Sequence, residues 1–245
     1  MLGLIGEPPA HEAPAPSPAR PGTGTLFDPG AIPPGEPLGV HLLIGLYDER
    51  EPSRAEEIGR CLASNLAHPD VAAVHVFDET QGGLSAPFHP KMVVVPAGER
   101  VTYGRFFRYA NEVLSGELVV VANSDIFFDE SLALLRGYPM DGVMLACTRW
   151  DEQADGTTRM WTNPGSQDTW FVKAPVPERL TQAEFYLGKI ACDNRIAWEA
   201  DAAGLDVRNP VLDLRTRHLH LSGVRRYSWD DAVPGPRLDV PLGRL

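Results

Sequence analysis

Leu118 to Ala122 (LVVVA) runs straight into Asn123, Ser124 and Asp125, and this junction constrains the fold more than any other stretch. The apolar run is too short for an ordinary helix and has no wet face. It predicts a strand buried on both sides, in a sheet covered by helices. Side chains alternate along a strand, so Asn123 and Asp125 are expected on one side of its carboxyl end and Ser124 on the other. In open α/β sheets, ligands bind beyond the carboxyl ends of the strands. A short helix through Leu132, Leu134 and Leu135 should follow, capped by Asp129 or Ser131.

The chain before this junction alternates strands with helices. Val40 to Leu46 (VHLLIGL) reads as a first buried strand. After the polar turn from Tyr47 to Ser53, Ile58, Cys61, Leu62 and Leu66 fall at helical spacing, with Ser53 as the N-cap. Val71 to Phe77 is the next strand, which makes a strand-helix-strand unit of a parallel sheet with right-handed crossovers. A loop with Gly82-Gly83 leads to a short strand from Met92 to Val95. The residues Arg100 to Tyr103 then enter a helix with the stripe Phe107, Ala110, Val113 and Leu114.

Past the junction, Gly142 to Cys147 and Thr169 to Val172 read as strands separated by an exposed loop from Asp151 to Pro164. A helix should begin at Asp193 and stop at Gly204. Val207 to Asn209 is a short strand, and His218-Leu219-His220 is extended. The predicted class is α/β, a single mixed, mostly parallel sheet flanked by helices.

Residues 1–37 are rich in Pro, Ala and Gly and predict a flexible arm. Residues 38–228 form the α/β domain, and 229–245 a loosely attached, Pro-containing tail. The net charge of -11 argues against gripping nucleic acid, which needs a basic surface. Cys61, Cys147 and Cys192 show no metal-type pairing and read as reduced core residues of an intracellular protein. No apolar run approaches the roughly 18 residues of a membrane span, and MLGLIG is followed by Glu and Pro rather than a cleavage region, so the expected location is cytoplasmic, with no integral membrane segment.

Several polar groups stand at predicted carboxyl ends of strands: Asp48, Asp78, Asp125 and Arg149, with Asp168 and Asp193 on later loops. Such a convergence can hold a metal-bridged diphosphate, since Mg²⁺ or Mn²⁺ needs only one or two protein carboxylates. Arg54 or Arg100 would offset the remaining charge, and Tyr103 stands beside Arg100. His218 and His220 share one side of an extended segment, as metal ligands or as ordinary strand histidines. Trp150, Trp161 and Trp170 flank the acids, as core or as sugar-stacking platforms.

The set NSDIFFDESL, CTRWD, SQDTWF, LGKIACDNRIAWEADAAGLDVRNP and HLH, with the opening LIGLYDEREPSRAEEIGRCLASNLAHPDVAAVHVFDE, resembles glycosyltransferase-like proteins of the A-type, nucleotide-diphospho-sugar transferase fold. The similarity spans about residues 40 to 222. It implies that Asn123-Ser124-Asp125 stands where the family carries an Asp-any-Asp metal motif. Asp125 would bind the Mn²⁺ or Mg²⁺ of a nucleoside diphosphate sugar, and His218 or His220 would complete the site. The first acid of the motif is here the neutral Asn123, a weaker ligand for a hard cation.

The implied activity is transfer of the sugar to a hydroxyl acceptor, a carbohydrate or another alcohol. Asp48, Arg54, Arg100, Tyr103, Asn123, Ser124 and Asp125 would hold the donor. If transfer inverts the anomeric centre, Asp193 is the preferred general base, unless capping the helix consumes its side chain. Asp168 binds sugar hydroxyls or is itself the base. Two alternatives stand beside this: a non-catalytic carbohydrate- or nucleotide-binding module on the same fold, and a sugar-phosphate nucleotidyltransferase. Gly45-Leu46-Tyr47-Asp48 lacks the Gly-rich, basic signature of the latter.

Overall fold

The computed structural model describes residues 35–84, 88–224 and 229–245. The arm expected over residues 1–37 lies outside the described residues up to position 34. Strands β1 (Val40–Leu46), β2 (Val71–Asp78), β3 (Met92–Pro96), β4 (Leu118–Ala122), β6 (Val143–Cys147), β9 (Thr169–Lys173) and β10 (Asp206–Arg208) form one sheet in the order β10-β6-β9-β4-β1-β2-β3. A second sheet joins β5 (Ile126–Phe128), β11 (Thr216–His218), β7 (Arg149–Glu152) and β8 (Thr158–Met160) in that order. The helices are α1 (Pro52–Ala67), α2 (Tyr103–Val113), the short α3 (Glu178–Thr181) and α4 (Cys192–Ala202). The class is therefore α/β, with a mixed main sheet flanked by helices.

Parallel pairing joins β1 to β2 and β4, β2 to β3, and β6 to β10. Strand β9 runs against β4 and β6 on its two sides. The chain leaves β6 at its carboxyl end, makes the β7-β8 hairpin, and returns at the same end, where Asp168 N bonds the Cys147 carbonyl at 3.0 Å. A strand that enters from that edge must run backwards.

Both faces of the sheet are apolar because its central strands are. Leu43, Val119, Val121, Met144, Trp170 and Val172 pack with α2 and α4 on one face. On the other, Leu42, Ile44, Val120, Leu145 and Phe171 pack with Ile58, Leu62 and Leu66 of α1. The fully apolar character of LVVVA is what this double burial requires.

Several local expectations are corrected. Helix α1 begins one residue before Ser53: Glu51 is the N-cap, without a side-chain cap bond, and Pro52 takes the first turn, where its missing N–H is no loss. On α2 the buried stripe is Tyr103, Phe106, Phe107 and Ala110, and Val113 is 55% exposed. The helix after the central junction is a 3-10 turn, Glu130–Leu135, capped by Asp129, whose side chain accepts from Ser131 N. The loop from Asp151 to Pro164 contains most of the β7-β8 hairpin. The final segment is not loose: Val233 and Val240 are buried, and Leu238 N and Val240 N bond the carbonyls of Asn194 and Pro164, both at 2.9 Å.

Gly104 shows how closely α2 is seated. Its N–H donates to the Ala183 carbonyl at 2.9 Å, and an added Cβ would stand 2.7 Å from the Thr181 carbonyl oxygen. Backbone on both sides cannot yield as a side chain would. Gly104→Ala is expected to destabilise the fold by about 1–3 kcal/mol, read as a lower denaturant midpoint at unchanged slope. An unchanged midpoint would mean that α2 can shift.

Candidate active site

Asp125 lies in the turn between β4 and β5. Strand β5 pairs with β11, and β11 with β7, in a register that sets His218 opposite Ile126 on one side and Asp151 on the other. A bond from Leu219 N to the Asp125 carbonyl (3.0 Å) fixes this crossing. His218 Nε2 consequently lies 3.1 Å from Asp125 Oδ2, and its Nδ1 2.7 Å from Asp151 Oδ1. His220 projects to the same side of the extended segment, with Nδ1 3.9 Å from Asp125 Oδ2 and Nε2 donating to the Val224 carbonyl at 2.8 Å. Arg54 reaches in from the first turn of α1. Its Nη2 donates to Asp125 Oδ2, and its Nη1 to Glu57 (3.0 Å) and to the Leu219 carbonyl (3.1 Å).

Burial penalises the charge on Asp125, but His218 and Arg54 outweigh it and hold the carboxyl far below its ordinary range. Burial also opposes protonation of His218, yet Asp125 and Asp151 raise it to about 9. His220 is lowered by burial and then by Arg54, so its ring is neutral at pH 7. With Nε2 donating, the Nδ1 lone pair faces Asp125.

These residues fit a divalent cation. The ligand atoms of Asp125, His218 and His220 lie within 4.8 Å of one another. Asp125 Oδ1 is buried without a hydrogen-bond partner among the described residues, an arrangement that costs about 1–3 kcal/mol unless something meets it. Each imidazole has its far nitrogen held by a second group, Asp151 or the Val224 carbonyl, the support that fixes ring and tautomer in metal-binding histidines. Two imidazoles beside one carboxylate suit a transition ion better than Mg²⁺, which prefers oxygen.

A second acidic group lines the same cavity. Asp168 accepts from Asn123 Nδ2 at 2.7 Å and from Arg149 Nη1 at 2.8 Å, and Arg149 Nε reaches on to Asp151 at 2.8 Å. Both oxygens of Asp168 are thus engaged. An acid at position 123 would face that carboxylate with no proton to share, so the amide is what the pairing requires. Asn123 belongs to the Asp168 pair and not to the group formed by Asp125, His218 and His220.

Asp193 is differently placed. Ala191 adopts φ +62°, a left-handed conformation that costs a non-glycine residue roughly 1–2 kcal/mol, and it turns the chain into the first turn of α4. There Asp193 accepts from Gln167 N at 3.3 Å and makes no ion pair among the described residues. Burial, and then the charge of Asp168, raise its pKa to about 6. A carboxylate that exchanges its proton near neutrality suits general base catalysis. Its neighbour Cys192 does not suit nucleophilic chemistry, because burial pushes the thiol up to about 12.

The cavity joining these groups has a volume of about 1100 Å³. Of the residues expected to hold a donor, Arg54, Arg100, Asn123, Ser124 and Asp125 line it. All three residues of the Asn-Ser-Asp turn do so, because β4 ends at Ala122 and strand alternation no longer applies. Asp48 is solvent-exposed and outside the lining. Tyr103 is fully buried, edge-on to Trp170, and its phase on α2 points it into the core, so it cannot touch a ligand there. Asp78 is engaged with Thr80 and Leu84 N in holding its own loop.

Trp161 alone of the three tryptophans stands partly open in the cavity wall, 41% exposed with Arg149 4.8 Å from its ring centre. Trp170 is core, and Trp150 is tied to the Val211 carbonyl.

Sequence reasoning missed Glu79, Arg237 and Asp239 in the lining and Asp151 and Glu57 behind it. Glu57 had a local signal, standing three residues after Arg54 on one helix face. Among the described residues no helix is long and apolar enough to cross a membrane. The sequence matches no known family model and no curated protein.

Proposed function

We propose that this protein is a glycosyltransferase that moves a sugar from a nucleoside diphosphate sugar to a hydroxyl acceptor, assisted by a divalent cation, on an A-type nucleotide-sugar fold. The observation that carries the reading is one cavity containing both a three-ligand cluster, Asp125, His218 and His220, and a separate carboxylate, Asp193, poised near neutral pH. The sequence resemblance points to the same chemistry.

Charge in the cavity supports a cation. Six carboxylates (Glu49, Glu79, Asp125, Asp168, Asp193, Asp239) face five Lys and Arg side chains (Arg54, Arg100, Arg149, Lys189, Arg237) and the protonated His218, so the wall alone is close to neutral and offers a diphosphate no net attraction. Asp125, His218 and His220 would hold the divalent ion, which would reverse that balance and supply stabilisation of the charge on the leaving diphosphate, a contribution of several kcal/mol. Asp193 takes the proton of the acceptor hydroxyl while the oxygen attacks the anomeric carbon, and the bond to the diphosphate breaks with its electron pair. Trp161 offers the acceptor sugar an apolar face. Asp168, already committed to Asn123 and Arg149, orients those two groups.

A thermal-shift panel of nucleoside diphosphates and their sugar conjugates, with Mn²⁺, Mg²⁺ or chelator, tests this. One nucleotide at about 100 times its dissociation constant with Mn²⁺ is expected to add roughly 2.7 kcal/mol of stability, less with Mg²⁺ and none with chelator. Absence of any nucleotide-dependent shift would overturn the reading. Binding without turnover of any donor would favour the non-catalytic module, which the engagement of Asn123 by Asp168 also suits.

A further inference from the structure

Arg54 occupies the ground that a metal ion would need. It is 7% exposed, anchored on three acceptors, and its Nη2 sits on Asp125 Oδ2, the oxygen that both histidines also approach. Resting on the metal-assisted reading above, we propose that Arg54 is a built-in counter-cation. It neutralises Asp125 when no metal is bound and must leave Oδ2 when one arrives, so Arg54 and the metal compete for one carboxylate.

The geometry provides for its release. Glu57, on the next turn of the same helix face, already accepts from Arg54 Nη1 at 3.0 Å, and is itself held by Ser222 N (2.6 Å) and Ser222 Oγ (2.8 Å). The guanidinium can keep this anchor and the Leu219 carbonyl while Nη2 swings from Asp125 into the adjoining cavity, where Arg54 is part of the lining. Neither partner is then left as a lone buried charge, the outcome that would otherwise be most costly. Competition of this kind makes the metal weakly held in the free protein and leaves a guanidinium facing the cavity once it binds.

The test is Mn²⁺ titration of the full chain, followed by loss of the free-ion electron paramagnetic resonance signal, for wild type, Arg54→Lys and Arg54→Gln. Arg54→Gln removes the competing charge and is expected to bind Mn²⁺ at least ten-fold more tightly, while Arg54→Lys stays within about three-fold of wild type. Equal affinity in wild type and Arg54→Gln overturns the competition. No Mn²⁺ binding by any of the three overturns the metal centre itself, a separate failure.

Because Arg54→Gln leaves Glu57 without its cation and Asp125 with His218 alone, the wild type supplies a second readout. The guanidinium nitrogen resonances of Arg54 are expected to show locked rotation without metal and faster rotation with saturating Zn²⁺. Locked rotation in both states overturns the proposal.

Discussion

Replacing Asp125 with asparagine is expected to abolish Mn²⁺ binding and to lower sugar transfer by about 10³-fold, the scale of a lost cation worth several kcal/mol, while the protein remains folded. The fold survives because the partners of Asp125 have other recourse. Arg54 keeps Glu57 and the Leu219 carbonyl, and His218 can shed the proton that Asp125 and Asp151 hold on it. The asparagine also fills the same volume in a packed turn. Equilibrium dialysis with Mn²⁺, circular dichroism and donor turnover read the three outcomes separately. Undiminished turnover in a folded, metal-free variant would remove both the cation and Asp125 from the chemistry.

Asp193→Asn is expected to move activity and stability in opposite directions. Loss of a general base lowers turnover by roughly 10²–10⁴-fold. Stability, by contrast, rises relative to wild type from about pH 4 and levels off above about pH 6. The wild-type carboxyl binds its proton more tightly when folded, at about 6, than its ordinary value of 3.8. Folded chains therefore hold more protons than unfolded ones between these values, and wild-type stability falls as pH rises through them. The asparagine variant has no such fall, so it should match wild type below about pH 4 and exceed it by up to about 3 kcal/mol at pH 7 to 8. Denaturant midpoints across this range measure the difference, and parallel curves for the two proteins would show that Asp193 carries no ionisation penalty.

Strand β1 and the central strand β4 were legible to the residue, because largely apolar runs followed by polar turns leave little choice of position. The stop of α4 was legible through Gly204, whose φ of +89° is a conformation that other residues resist. The small sheet was not legible. Its strands are three or four residues long, too short for a period, and β5 and β11 meet only through pairing across a long stretch of chain.

The same holds in the candidate site. Asp125, His218 and His220 were marked by residue type and strand position, and the structure brings them together. Asp48 and Tyr103 stand outside the cavity lining, because proximity in sequence to a strand end or a helix start does not fix the direction of a side chain. The meaning of Asn123 was hidden until Asp168 stood beside it, since no local pattern announces a pair formed between β4 and the entry to β9. Arg237 and Asp239 were hidden for want of a pattern: a Pro-containing segment whose apolar residues follow neither a helical nor a strand period gives no sign that two of its valines are buried.

The packing of that segment has a consequence for biosynthesis. Arg54 is made early and Asp239 late, yet both line one cavity. While the chain is still growing, strands β1 to β4 with α1 and α2 can assemble, and β6 joins once β9 is made to pair between it and β4, but the wall near Asp193 stays open until residues through about Val240 have left the ribosome exit tunnel. A ribosome stalled before this point would hold a nearly complete sheet with a site that lacks only the wall carrying Arg237 and Asp239.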